Sequence, residues 1–295
     1  MSRRPTLLAL TLGIMATGIT TAYAAESSST CDLKCQMTEL PAKAETRTTV
    51  TAGQQTLTPE QQAAKQVAES PRYRAFVPST YNGSVSFPLV VVLHPSGADE
   101  NAPFMARQLA ELAEKKGYIV VAPLGYDSTA GYGSTYPIVQ TFAAKDGMSG
   151  ITIPNPQSNY LSEVAVMSTL AKVKREMNID ASRVYLMGYG MGSIGAQHLA
   201  AKYPNEWAAI APASGAVTAA SYPFSALAAN HVAALYIQGE KDRYTPANAV
   251  EDLYNQARRA GVDARLIKVP NADNTNAWVG ALPQTFDFFS NHRKY

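Results

Sequence analysis

The run Arg183-Val184-Tyr185-Leu186-Met187-Gly188-Tyr189-Gly190-Met191-Gly192-Ser193-Ile194-Gly195-Ala196 constrains this chain more than any other stretch. An apolar, β-prone segment ends at Gly188, tight positions follow, and helical spacing begins at once and continues to residue 202. Strand, sharp turn and helix in this order form the frame G-x-S-x-G, in which a serine on a strained bend presents its hydroxyl to a carbonyl. Gly188 and Gly192 fill the outer positions of that frame, and Gly190 stands where it puts the serine. A glycine has no side chain with which to attack. The bend holds its central residue in a backbone region costing about 1–3 kcal/mol for a residue with a Cβ. Glycine removes most of that strain.

The segments around this run alternate between strand and helix. Thr58-Pro59-Glu60-Gln61 is a helix start, with Thr58 as N-cap and proline in the first turn. Residues 73–77 alternate as a strand does. Residues 87–93 and 118–123 are continuous apolar runs, which suit strands buried on both faces. Residues 102–116 have helical spacing stopped by Gly117, and residues 161–177 form a long helix leading into the glycine-rich bend. Beyond it, strands are expected at 207–212, 232–237 and 265–269, and helices at 248–260 and 282–292. Strands alternating with helices imply an α/β fold with a mostly parallel central sheet and helices on both faces. Residues 124–157, rich in Gly, Ser, Tyr, Thr and Pro, are too long for a simple connector and read as a binding loop.

The chain begins as exported proteins do. Arg3 and Arg4 precede an apolar stretch over residues 7–19, and Ala22-Tyr23-Ala24 offers an A-x-A cleavage site. We therefore read 1–24 as a signal peptide, 25–69 as a mobile lead-in with a short helix, and 70–295 as one domain, secreted or periplasmic. Cleavage removes Arg3 and Arg4 and no acid, leaving 23 charges of each sign. Such a balance supplies no basic surplus for nucleic acid, and no membrane partner is expected once the signal is removed. The two cysteines, Cys31 and Cys35, would sit where disulfides persist, either closing a local loop or linking two chains as a dimer. No histidine lies near them in sequence, which disfavours a metal pair.

Several motifs together resemble one group of enzymes. Residues 74–78 before Tyr81, residues 88–94, Asn178-Ile179-Asp180, the glycine-rich bend, Tyr203-Pro204, Ser214-Gly215, residues 239–242 and Leu282-Pro283-Gln284 resemble the secreted esterases known as polyhydroxybutyrate depolymerase-like and feruloyl esterase-like. The similarity runs from about residue 70 to 292. It implies an α/β-hydrolase fold, cleavage of carboxylic esters, and neither cofactor nor metal.

On that resemblance the catalytic positions are Gly190 for the nucleophile, Asp242 for the acid and Asn274 for the base. The serine and the histidine are thus both replaced. An amide at Asn274 can donate a hydrogen bond to Asp242 but cannot accept a proton near neutral pH. The backbone N–H of Met191 at a helix start and that of Ser96 are the expected oxyanion donors, because Pro95 has no N–H to offer. Pro95 itself departs from the glycine usual there. Of the four histidines, His94 is expected to orient the oxyanion loop, and His198, His231 and His292 to have structural or surface roles. Ser193, in the first helical turn, is expected to cap or pack. Tyr126, Tyr132, Tyr136 and Trp278 are candidate walls of a ligand pocket.

Two functional readings follow. In one, the chain has lost Ser-His-Asp chemistry and keeps a pocket for an ester, an aromatic acid or a carbohydrate-like ligand. In the other, it is an active carboxylic ester hydrolase, captured without its serine or working through an unconventional base. Loss at two positions favours the first, since a deliberate knock-out normally leaves the histidine in place.

Overall fold

Two adjacent strands, over residues 87–93 and 119–123, owe their place inside the sheet to unbroken apolar sequence. The computed structural model describes residues 57–141 and 155–295, with the backbone of a two-residue strand at 37–38. The expected leader (1–24), Cys31, Cys35 and most of the expected lead-in lie outside the described residues, all of which belong to one compact unit, Asp32–Tyr295.

In chain order the first elements are β1 (Met37–Thr38), α1 (Pro59–Glu69), β2 (Tyr73–Phe76), β3 (Phe87–Leu93), α2 (Arg107–Lys116), β4 (Ile119–Pro123) and β5 (Ile138–Val139). Then come α3 (Pro156–Glu176), β6 (Ile179–Tyr189), α4 (Met191–Lys202), β7 (Ala209–Ala213), β8 (Ala216–Val217), α5 (Phe224–Ala229) and β9 (Ala233–Gly239). The chain closes with α6 (Ala247–Arg259), β10 (Ala264–Val269), α7 (Ala277–Gly280) and α8 (Leu282–Ser290). One sheet has the order β1-β2-β4-β3-β6-β7-β9-β10, and β5 pairs with β8 in a small second one. From β4 to β10 the neighbours run parallel, whereas β1 on β2 and β2 on β4 are antiparallel.

The period-2 geometry of a strand sends successive side chains to opposite faces, so a strand covered on both sides must be apolar throughout. In β3, Leu89, Val91 and Leu93 join one core cluster with α3, α4 and α6, while Val90 and Val92 join a second with α2 and α8. β4 and β6 divide in the same way, with Val121 and Leu186 on the first face and Val120 and Met187 on the second.

Local chemistry sets the helix ends. Thr58 and Gln61 form a reciprocal capping box at α1, and Asn155 caps α3 by accepting from Gln157 and Ser158. Gly117, in the left-handed region at φ 70°, ends α2. The single helix expected over residues 102–116 is divided: Ala102–Met105 is a 3-10 turn, and extended Ala106 separates it from α2. Within the expected lead-in, Met37 and Thr38 pair with Phe76 and Ala75. An edge ladder of this kind needs only backbone donors and acceptors, so no side-chain pattern announces it.

Candidate active site

The turn between β6 and α4 forms because two backbones cross where side chains would collide. A Cβ on Gly188 would lie 2.2 Å from the carbonyl oxygen of Gly192, and one on Gly192 would lie 2.2 Å from that of Leu93. Between them Gly190 takes φ 57°, ψ −120° as the residue before α4. Its N–H donates to the Ala213 carbonyl at 3.0 Å, which ties the bend to the end of β7. A Cβ on Gly190 itself would meet only the Pro95 Cβ, at 3.4 Å, so the side-chain position is strained in backbone but nearly free in space.

Gly190 opens into a cavity of about 250 Å³. The structure gathers there residues from six separate stretches of the chain: Pro95 and Ser96 after β3, Ile138–Val139 of β5, Met191 at the start of α4, Ser214 after β7, Tyr244 and Thr245 after β9, and Asn274 and Thr275 after β10. Four sequence-derived positions, Ser96, Gly190, Met191 and Asn274, thus line one space. Met191 is the first residue of α4, so its N–H has no acceptor within the helix.

Asp242 follows β9, and its Oδ1 accepts from the backbone N–H groups of Tyr244 (2.8 Å) and Thr245 (3.0 Å), both cavity-lining residues. Its Oδ2 is buried and has no hydrogen-bond partner among the described residues. The expected donation from Asn274 is therefore not made. The carboxylate is turned into its own loop by two backbone donors, while Asn274 sits in the cavity wall. A buried carboxylate oxygen without a partner is unusual, because leaving such a group unmade carries its full desolvation cost.

No histidine lines this cavity. His94 is fully buried, with Nδ1 2.9 Å from the Pro95 carbonyl and Nε2 accepting from the Gly125 N–H at 3.3 Å. Both ring nitrogens are thereby committed to holding the loop. Burial lowers its pKa below the usual histidine range, against the Pro95 carbonyl, Asp99 and Glu100, which act the other way. His198 pairs with Glu163 at 2.8 Å, and His292 with the Phe288 carbonyl and Asp263. His231 is exposed at the start of β9. Ser193 is fully buried and donates to the Gly215 carbonyl at 2.7 Å, which occupies its hydroxyl.

The four aromatic wall candidates lie elsewhere. Tyr132 is wholly buried and donates to the His94 carbonyl at 3.0 Å, so it supports the loop from behind. Burial raises its pKa well above the usual tyrosine value. Trp278 stacks on Tyr189 at 4.5 Å inside the second core cluster. Tyr136 packs edge-on against Tyr222, and Tyr126 is exposed. Instead the aliphatic wall comes from Ile138 and Val139, part of the long loop but not its aromatic part. Sequence reasoning also passed over Ser214 as a cavity residue. Its signal was its place beside Gly215 at a strand end; its positive φ of 50°, uncommon for a residue with a Cβ, appears only in the structure. Among the described residues, no group of three or more His, Cys, Asp or Glu side chains could hold a metal ion, and no helix is long and apolar enough to cross a membrane.

Comparison with known proteins identifies the family and the fold. The model of the Dienelactone hydrolase family matches residues 73–275. Over 128 residues the chain is 31% identical to the bifunctional acetylxylan esterase/xylanase XynS20E of Neocallimastix patriciarum, covering 43% of this chain and 16% of that protein. It is 27% identical over 128 residues to feruloyl esterase B of Thermothelomyces thermophilus, covering 43% of this chain and 39% of that one. The chain thus spans well under half the length of either curated relative. Among solved structures, an S-formylglutathione hydrolase from Agrobacterium tumefaciens superposes with a TM-score of 0.57 at 15% identity, over 77% of this chain and 91% of the other. A ferulic acid esterase from Anaeromyces mucronatus, solved with ferulic acid, gives 0.52 at 15% identity, over 77% and 87%. Identities this low bear on fold alone, which is that of the α/β-hydrolases.

Proposed function

Because the chain belongs to the dienelactone hydrolase family, whose fold it shares with carboxylic ester hydrolases, we propose that it is an exported member that has lost Ser-His-Asp catalysis and kept its cavity for binding a small ligand. The observation that carries this reading is the composition of the cavity at its reacting end. Gly190 and Asn274 line it where a hydroxyl and an imidazole are required, and no histidine faces it. Acyl transfer by this route needs a nucleophile, a base to take its proton and a carboxylate to orient the base. Only the last survives, as Asp242, with an unpartnered oxygen where an imidazole N–H would be needed. The ligand class follows the relatives: an ester, an aromatic acid or a carbohydrate-like molecule.

Turnover of p-nitrophenyl acetate by a short series of variants tests this. The unmodified protein shows no burst and at most slow hydrolysis. Gly190→Ser alone recovers little, because members of a catalytic unit do not act additively. Gly190→Ser combined with Asn274→His recovers at least about tenfold more than either single change. Brisk turnover by the unmodified protein, blocked by a serine-directed phosphonate, would establish the active hydrolase instead. Full recovery by Gly190→Ser alone would mean that a base survives.

A further inference from the structure

We propose that the cavity binds a small monocarboxylate anion, with its head group in the space left by the missing side chain at Gly190, against the N–H groups of Met191 and Ser96 and the hydroxyl of Ser214. This rests on the reading that catalysis is lost, and it adds the chemical class of the ligand.

None of the twelve described residues lining the cavity is charged. What the wall offers is donors. Met191 opens α4, a helix of 12 residues, so its N–H carries the positive end of the helix dipole. Ser214 supplies a second, independent feature: it is 3% exposed, forms part of the cavity wall, and its hydroxyl has no partner among the described residues. Ser96 lines the cavity beside Pro95, and Asn274 adds an amide.

The number of donors separates an acid from an ester. An ester carbonyl oxygen accepts at most two hydrogen bonds and leaves the other donors facing a weak alkoxy oxygen. A carboxylate presents two oxygens with about four acceptor sites. In a serine enzyme the nucleophile's own side chain fills the space beside the oxyanion donors. Here the nearest protein atom to an added Cβ is Pro95 Cβ, at 3.4 Å, so a second carboxylate oxygen has room. The charge of Asp242 opposes the anion, but Asp242 is not among the described lining residues, and its Oδ1 accepts from the backbone N–H groups of Tyr244 and Thr245. At roughly 25–30 Å³ per heavy atom, the cavity of about 250 Å³ takes on the order of ten non-hydrogen atoms. Pro95, Ile138, Val139 and Tyr244 give the ligand's body apolar cover.

Calorimetric titration with benzoate and with methyl benzoate tests the assignment. Benzoate is expected to bind the unmodified protein at least tenfold more tightly than its methyl ester. Ser214→Ala weakens benzoate about tenfold, the size of one hydrogen bond to a charged acceptor. Gly190→Ser, checked by circular dichroism to be folded, weakens it at least as much by filling the head-group space. Equal binding of acid and ester overturns the proposal, as does benzoate affinity unchanged in both variants, or no saturable benzoate binding below about 10 mM. Turnover of p-nitrophenyl acetate on the same sample keeps the two readings apart. Hydrolysis there defeats the loss of catalysis, whereas an inactive protein that prefers methyl benzoate defeats only the carboxylate.

Discussion

Backbone angles such as those at Gly190 cost a residue with a Cβ about 1–3 kcal/mol, and enzymes of this fold bear that cost because the strain aims a hydroxyl. A chain with no hydroxyl to aim gains stability by giving up the Cβ. Gly190→Ala is therefore expected to lower unfolding stability by about 1–3 kcal/mol in a denaturant titration, since it restores the strain and adds a contact with Pro95 but no chemistry. Gly190 and Asp242 were legible from the sequence because a strand-turn-helix frame and a strand end fix their neighbours. Asn274 was picked out only through the family resemblance, in the segment after the last strand. What it would touch was not legible. The carboxylate of Asp242 turns to the N–H groups of Tyr244 and Thr245, a choice made by loop conformation rather than by residue type. The aromatic residues expected as walls are absent from the described lining of this cavity for a similar reason. Their size favours burial as much as ligand contact, and Tyr132 and Trp278 are buried.

Strands and helices were legible in proportion to their length. β3, β4, the buried end of β6 and most of β9 are recognisable because both faces of the sheet are covered there, which makes those stretches almost continuously apolar. α2, α6 and α8 show their buried stripe and their stops. The two-residue strands β1, β5 and β8 and the short helices α5 and α7 left no periodic signal, because a single turn or two rungs do not complete a pattern. The connection between α3 and α4 was missed altogether. Glu163 on α3 is 3% exposed and reaches His198, Lys202 and Tyr203 across the interface. Burial alone would raise its pKa, but hydrogen bonds from those three partners bring it down to about 2. A carboxylate whose folded pKa lies below its unfolded value stabilises the fold above the unfolded pKa, near 4.5, and loses that contribution as pH falls toward 2. Unfolding stability is thus expected to drop by up to about 3 kcal/mol between pH 5 and pH 2 from this group. In Glu163→Gln that part of the pH slope disappears, as denaturant melts at stepped pH will show.

Taken together, the molecule separates what keeps it folded from what its relatives use for chemistry. The two core clusters flank the sheet and contain neither Asp242 nor Asn274, and Gly190 contributes no side chain to either. Replacing the nucleophile and the base therefore leaves the hydrophobic driving force of folding untouched. A scaffold arranged in this way can keep its cavity whether or not the reaction is retained. The cavity persists because the crossing of β6, α4 and β3, fixed by backbone contacts at Gly188 and Gly192, does not depend on what happens inside it.

The ladder of β5 on β8 has only two rungs, Ile138 with Val217 and Val139 with Ala216, yet it closes one side of the cavity. So short a pairing holds its shape largely by leaning on its surroundings, and an occupant would be one of its supports. Amide hydrogens at Ile138, Val139 and Gln140 are thus expected to trade with deuterium more slowly once benzoate is bound, while those of β3 and β6 keep their rates. Uniform slowing across the whole large sheet would mean instead that the small ladder already stands without help.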